Sequence, residues 1–378
     1  MLWWAGGASQ FETWDPKPGS ETGGPFFDIA TSVPGVRISE LMPEMAKRLH
    51  EHTAIIRSHN TKEGAHGRAS QLMMRGRINE PNLVYPDLGA IVAHELAQAD
   101  SEVPDYVSIY SQTEGRNFAK LGPAFLPTRH APIQLTERMG LENVHRLESI
   151  SELDHRDRNE LRKLLSKRFA RGRELASIDS HETAYERVRG LMTSDQLFDI
   201  SKEPPEIRER YGPTRFGEQA LIARRLIESG VPFVRVARAW WDSHAQNFET
   251  HLELVPEFDR VMSTLLDDLK ERGLLENTLV ITTAEFGRTP KINPSLGRDH
   301  FATAWSSTLS GLGVQPGMVY GKTDANGETV TDGEIGAGQF FATILQALGI
   351  DHEHELYVGP RPIPLVDVGI EPVWDVLS

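Results

Sequence analysis

Five polar segments hold the residue types from which a reactive centre could be built. They are Gly6-Gly7-Ala8-Ser9-Gln10-Phe11-Glu12-Thr13-Trp14-Asp15, Ser58-His59-Asn60-Thr61-Lys62-Glu63-Gly64-Ala65-His66-Gly67-Arg68, Trp240-Trp241-Asp242-Ser243-His244, Glu285-Phe286-Gly287-Arg288-Thr289-Pro290-Lys291 and Gly297-Arg298-Asp299-His300. Imidazoles and carboxylates together suit a borderline divalent metal, which lowers the pKa of bound water or polarises a phosphoryl or sulfuryl oxygen. An isolated Asp-x-His such as Asp242/His244 is a weak signal, because many histidines merely satisfy a core hydrogen bond. Several such segments meeting at one sheet edge form a much stronger one. Arg68, Arg288, Lys291 and Arg298 lie in the same loops, as cations that could grip an anionic ester. Arg298 beside Asp299 reads equally well as an ion pair that fixes its loop. Thr61 and Ser70 are the candidate hydroxyl nucleophiles, although an ordinary turn residue and a helix cap explain each of them singly.

Those segments need a scaffold that brings them together. Apolar β-rich runs at residues 2–5, 53–57, 106–109, 232–237 and 279–283 alternate with amphipathic helical patterns, the mark of a mostly parallel sheet covered by helices. Phe258, Val261, Met262, Leu265, Leu266 and Leu269 share one helix face, with Gly273 as a stop. Residues 214–229 and 337–348 also read as helices, and residues 66–74 could open one. In such sheets ligands collect beyond the carboxyl ends of the strands, and the chemistry-bearing segments follow presumed strands. Residues 144–212 are densely charged without a convincing strand and read as a helical insertion with a solvated face. Asn326-Gly327 predicts a β-hairpin between residues 318–322 and 328–331.

Composition narrows the function. The 378 residues carry 54 acidic and 40 basic side chains, a formal charge of −14, which disfavours a general nucleic-acid binder. No apolar run is long enough for a membrane-spanning helix. Cysteine is absent, which excludes thiolate ligands, cysteine nucleophiles and a formylglycine made from cysteine. Gly-x-Ser-x-Gly, Gly-x-Gly-x-x-Gly and Walker A patterns are missing too. No export signal precedes the first strand, so a core strand at residue 2 suggests a removed leader or a truncated gene model.

The motifs themselves resemble a known family. Gly6 to Gly19, Thr61-Lys62-Glu63-Gly64-Ala65-His66-Gly67-Arg68, Arg208-Glu209-Arg210-Tyr211-Gly212, Trp241-Asp242-Ser243-His244, Glu285 to Lys291 and Gly297-Arg298-Asp299-His300 are similar, in order, to the domain-of-unknown-function family numbered 1501. That bacterial family is placed with the alkaline phosphatase and sulfatase superfamily. The resemblance implies one alkaline-phosphatase-like α/β/α domain over residues 1–378, with metals at the carboxyl ends of the central strands. It implies Asp242, His244 and His300 as ligands of a first metal, zinc or calcium, with Glu285 and Asp299 as further candidates. A second metal would take an acid after the first strand and an Asp-His pair after another. Here Gly6-Gly7 stands in place of the acid, Phe286 replaces the histidine, and Glu12 falls where relatives often have Asp.

The activity so implied is hydrolysis of a sulfate or phosphate ester, on a small molecule or an extracellular polysaccharide. Arg68, Arg288 or Lys291 would hold the ester, and Thr61 or His66 would stand near the reacting atom. The sulfatase nucleophile motif is not present. The alternative is a catalytically degenerate member that binds an anionic glycan or a partner without turnover. Relatives usually begin with a twin-arginine leader, which implies a periplasmic or secreted protein.

Overall fold

Period-two alternation explains why two adjacent tryptophans open the chain. Trp4 packs on Trp241 at 5.3 Å and edge-on against Phe258 at 4.6 Å, whereas Trp3 takes the Arg235 guanidinium over its ring at 5.2 Å. The strand that carries them, β1 (Leu2–Trp4), therefore has a packed layer on each side. The computed structural model describes residues 1–98, 103–109, 122–135, 149–171, 185, 190 and 195–378.

β1 lies inside an eight-stranded sheet. Its other strands are β2 (Thr53–His59), β3 (Tyr106–Ile109), β4 (Ile133–Leu135), β5 (Phe233–Arg238), β6 (Leu279–Ala284), β7 (Trp305–Gly311) and β8 (Val319–Tyr320). The spatial order is β8-β2-β7-β6-β1-β5-β3-β4. β1 pairs in parallel with β5 and β6, β5 with β3, β3 with β4, and β8 with β2. β7 alone in this sheet runs antiparallel, between β2 and β6. All five expected strands form, each within two residues of its expected ends.

Helices cover both faces. On the Trp4 side α7 (Asn247–Glu271) packs with α1 (Pro43–His52), α5 (Pro205–Tyr211) and α6 (Arg215–Glu228). Every member of its expected apolar stripe, from Phe258 to Leu269, is buried. The α6 helix begins at Thr214, whose hydroxyl accepts from Gly217 N. On the Trp3 side lie α2 (His66–Arg75), α3 (Leu88–Leu96) and α8 (Ala337–Ala347). There α3 approaches the sheet so closely at Gly89 that a Cβ would sit 2.4 Å from the Tyr106 ring. The result is a three-layer α/β/α arrangement with a mostly parallel central sheet.

Within the expected insertion, α4 (Glu152–Ala170) starts on a Ser151 cap and has no buried residue. Residues 144–148, 172–184, 186–189 and 191–194 of that stretch lie outside the described residues. At its far end α5 belongs to the main layer, where Tyr211 donates to Asp268.

The expected hairpin splits. Val319–Tyr320 joins the sheet beside β2, and only Lys322–Thr323 pairs back on Val330–Asp332. Gly321, at φ +76°, turns the chain between the two partners. The sequence holds two His-Glu-His runs: His50-Glu51-His52 closes α1, whereas His352, the first residue of His352-Glu353-His354, is buried in the turn beyond α8.

Candidate metal centre

Parallel strands deliver the loops that follow them to one edge of the sheet. β1, β2, β5 and β6 leave that edge through residues 5–7, 60–68, 239–244 and 285–291. β7 runs the other way, so its lead-in, residues 297–304, arrives at the same edge. His300–Phe301 also pairs antiparallel with Gly287–Arg288, which pins the late loop to the one after β6.

Four side chains converge there. Asp242 Oδ1 lies 3.1 Å from His244 Nε2 and 3.1 Å from His300 Nε2, and those two nitrogens are 3.0 Å apart. Asp242 Oδ2 is 3.2 Å from His66 Nε2. Among the described residues, His66, Asp242 and His300 form a half-buried group whose ligand atoms all lie within 4.8 Å of one another. Each imidazole is also held from behind. His66 Nδ1 is 2.9 Å from Glu285 Oε1, His244 Nδ1 is 2.7 Å from Asp299 Oδ1, and His300 Nδ1 is 2.8 Å from the Gly64 carbonyl.

Carboxylates and carbonyls only accept, so each Nδ1 carries a proton and donates. In a neutral ring Nε2 then turns its lone pair inward. Three such lone pairs and a carboxylate repel one another unless positive charge sits among them. The spacings around Asp242 suit an ion as well, since ligand atoms about 2 Å from a tetrahedral metal are themselves about 3.3 Å apart. His66, Asp242 and His300 are the mutually close set, and His244 adjoins it through Asp242 and His300. Histidines oriented by carboxylate or carbonyl at the far nitrogen are the usual support of metal ligands.

The electrostatics agree. Burial lowers the pKa of His66, but its bonds to Asp242 and Glu285 outweigh that and push it up to about 9. Burial would raise Asp242, yet His300, His66 and Arg288 hold its carboxyl well below the usual range. A field that keeps a proton on His66 is one that would also keep a metal cation.

Buried contacts fix the loops. Glu285 is fully buried; its Oε1 also accepts from Gly6 N at 2.9 Å, and its Oε2 has no hydrogen-bond partner. Gly7 has φ +88°, and a Cβ on it would lie 2.8 Å from both the ring and the carbonyl of Phe286. Phe286 stacks on His300 at 4.3 Å and tilts against His66 at 4.9 Å. Arg288 is fully buried and donates to the carbonyls of Gly6, Gly7 (2.7 Å) and Arg298 (3.1 Å) and to Asp242 Oδ1 (2.6 Å). Arg298 is buried too, paired with Glu12 at 3.0 Å and bonded to the carbonyls of Thr22 and Pro290, both at 2.7 Å. That settles its two readings in favour of a loop clamp, though its carboxylate partner is Glu12 rather than Asp299.

Of the residues singled out from the sequence, Asp242, His244, His300 and His66 come together. Glu285 and Asp299 stand behind the histidines. Thr61 is buried, its hydroxyl 3.3 Å from the Ala302 carbonyl. Arg68 is exposed and paired with Glu63 at 2.7 Å, and Lys291 is exposed. The cradle built by the backbone of Gly6, Gly7 and Gly64 escapes a reading of side-chain types, because carbonyl and N–H groups are common to every residue.

Several solved structures are similar to the chain in fold. Ps i-CgsB, solved in complex with k-i-k-neocarrahexaose, is 12% identical with a TM-score of 0.44, over 93% of this chain and 71% of that one. The PsFucS1 sulfatase from Pseudoalteromonas sp. is 13% identical with a TM-score of 0.43, over 92% and 67%. The phosphonate monoester hydrolase SpPMH from Silicibacter pomeroyi is 12% identical with a TM-score of 0.36, over 92% and 72%. The α/β/α layering rests on the strand order above rather than on these likenesses. No curated protein matches the sequence. The family model described as "Protein of unknown function (DUF1501)" matches residues 1–377, and the chain belongs to that family.

Proposed function

We propose that this protein is a metal-dependent hydrolase of sulfate or phosphate esters, with a saccharide as the alcohol portion of its substrate. The observation that carries the reading is the convergence of His66, Asp242, His244 and His300, each imidazole aimed by an acceptor behind it. Three imidazoles and one carboxylate would suit zinc better than calcium, which prefers six to eight oxygens. When bound, the ion would polarise the ester oxygen and acidify a water.

The protein's own groups do the rest. Glu285 and Asp299 keep His66 and His244 in one tautomer and one orientation. Arg288 holds Asp242 in place. The Phe286 ring closes one side of His66 and His300 to water. Three carboxylates (Asp242, Glu285, Asp299) face one guanidinium, so a divalent ion brings the centre to neutrality, a state able to accept an anionic ester. Beside Asp242, Trp240 exposes an indole that offers a flat apolar surface to a sugar ring.

Elemental analysis of the purified protein, combined with a screen of aryl sulfates and phosphates, tests the proposal. We expect bound divalent metal and turnover that Asp242→Ala lowers by at least about 10²–10³-fold with folding intact. Binding of an anionic glycan with neither metal nor turnover would replace the proposal with a binding module. The Arg288 contact on Asp242 Oδ1 is the observation that favours that second reading.

A further inference from the structure

Building on the metal-centre reading, we infer that this protein takes one divalent ion per chain, held by His66, Asp242, His244 and His300, and that the buried Arg288 guanidinium serves as the permanent second positive charge beside Asp242. The positions where a second ion would find ligands are otherwise engaged. Directly after β1, Gly6-Gly7 stand in place of an acid, and their carbonyls point at Arg288 and accept from it; Glu12, further along that loop, is paired with Arg298. After β6, Phe286 offers no donor atom and stacks on His300 and His66 instead. Glu285 Oε1 is occupied by Gly6 N and His66 Nδ1. Two buried carboxylate oxygens lack a partner in these loops, Glu285 Oε2 and Glu12 Oε2. Glu12 is committed to Arg298, which leaves Glu285 Oε2 as a single ligand, whereas a stable site needs three or four from the protein.

Charge points the same way. A guanidinium cannot lose its proton here, and this one is fully buried with four acceptors around it. A second divalent ion next to Asp242 would face that fixed cation at close range with little water to screen it. One divalent ion with Arg288 balances Asp242, Glu285 and Asp299. Two would leave the pocket with a surplus of two positive charges.

The test begins with the unmodified protein, loaded with Co(II) and freed of excess metal by gel filtration. Expected are one cobalt per chain, the intense visible absorption of tetrahedral Co(II) with nitrogen and oxygen ligands, and a single-site calorimetric isotherm. Two cobalt ions per chain with coupled magnetic behaviour would overturn the inference while leaving the hydrolase reading intact. No bound cobalt would overturn both.

Arg288→Gln then separates a charge role from a purely structural one. Removing a fixed positive charge should tighten Co(II) binding about tenfold, whereas Arg288→Lys should leave it near the original value. Weaker binding in a folded Arg288→Gln protein would show that the residue only props the loop, against the inference. If that variant does not fold, the stoichiometry and spectrum of the unmodified protein still decide the matter.

Discussion

Trp240 has a left-handed backbone, φ +77°, and an indole that is 67% exposed. For a bulky side chain that backbone costs roughly 1–3 kcal/mol, and such strain gathers where function demands it. Lys62, Gln246 and Leu296 are also left-handed, so the loops carrying His66, Asp242, His244 and His300 hold four of the five such non-glycine residues described. Trp240 precedes Asp242 by two residues, which places their Cα atoms within about 7 Å. Trp240→Gly should therefore gain about 1 kcal/mol in urea unfolding while raising KM for sugar esters about tenfold with kcat little changed. An unchanged KM would remove the indole from substrate binding. Behind the ligands, Asp299→Ala should weaken zinc binding about 10–100-fold by calorimetry, because His244 loses the partner that aims it. Equal affinity in the variant would mean that His244 does not bind the ion.

Among the elements, β7 decides the site and was the hardest to see. Its sequence, Trp305-Ser306-Ser307-Thr308-Leu309-Ser310-Gly311, is too polar to read as a buried strand, yet Trp305 to Ser310 are all buried. Two of its hydroxyls find partners on β2, Ser310 with Thr53 at 2.9 Å and Ser307 with His59 at 2.6 Å, whereas those of Ser306 and Thr308 are buried without one. Its reversed direction brings His300 to the edge where the parallel strands end. The turn after β1 is as exacting. Gly7→Ala would combine a disallowed φ with a Cβ pressed into Phe286, so we expect a loss of about 2–3 kcal/mol in chemical denaturation. A loss below half a kcal/mol would show that Phe286 can move aside.

For the whole molecule, stability between pH 4 and 7 depends on buried groups titrating in opposite senses. Burial lowers the pKa of His59 to about 3 and of His251 to about 4, from an ordinary 6.5. Their folded values are depressed, so the unfolded chain binds more protons in that window, and stability falls as pH drops below about 6.5. Asp259 is pushed up by burial to about 6 from 3.8, so its contribution is fully present below about pH 4 and is lost as pH rises through about 6. His59→Gln should thus flatten the acid side of a Tm-against-pH curve. Asp259→Asn should improve relative to the parent as pH rises from 4 to 6. Parallel curves for parent and variants would show that neither group changes protonation on unfolding. No helix among the described residues is long and apolar enough to cross a membrane.

Residue types and their order were enough to recognise the family, to set five strands and the helices that cover them, and to name Asp242, His244 and His300. Those features are local: apolar period and motif spacing survive in the unfolded chain. Where Arg288 and Glu285 sit, and what they touch, was decided only by folding. An arginine expected to grip substrate is sealed under the pocket, and a carboxylate expected as a ligand stands behind His66. Burial and partnership are properties of the packed sheet edge, where residues 286 positions apart touch, and no local pattern encodes them.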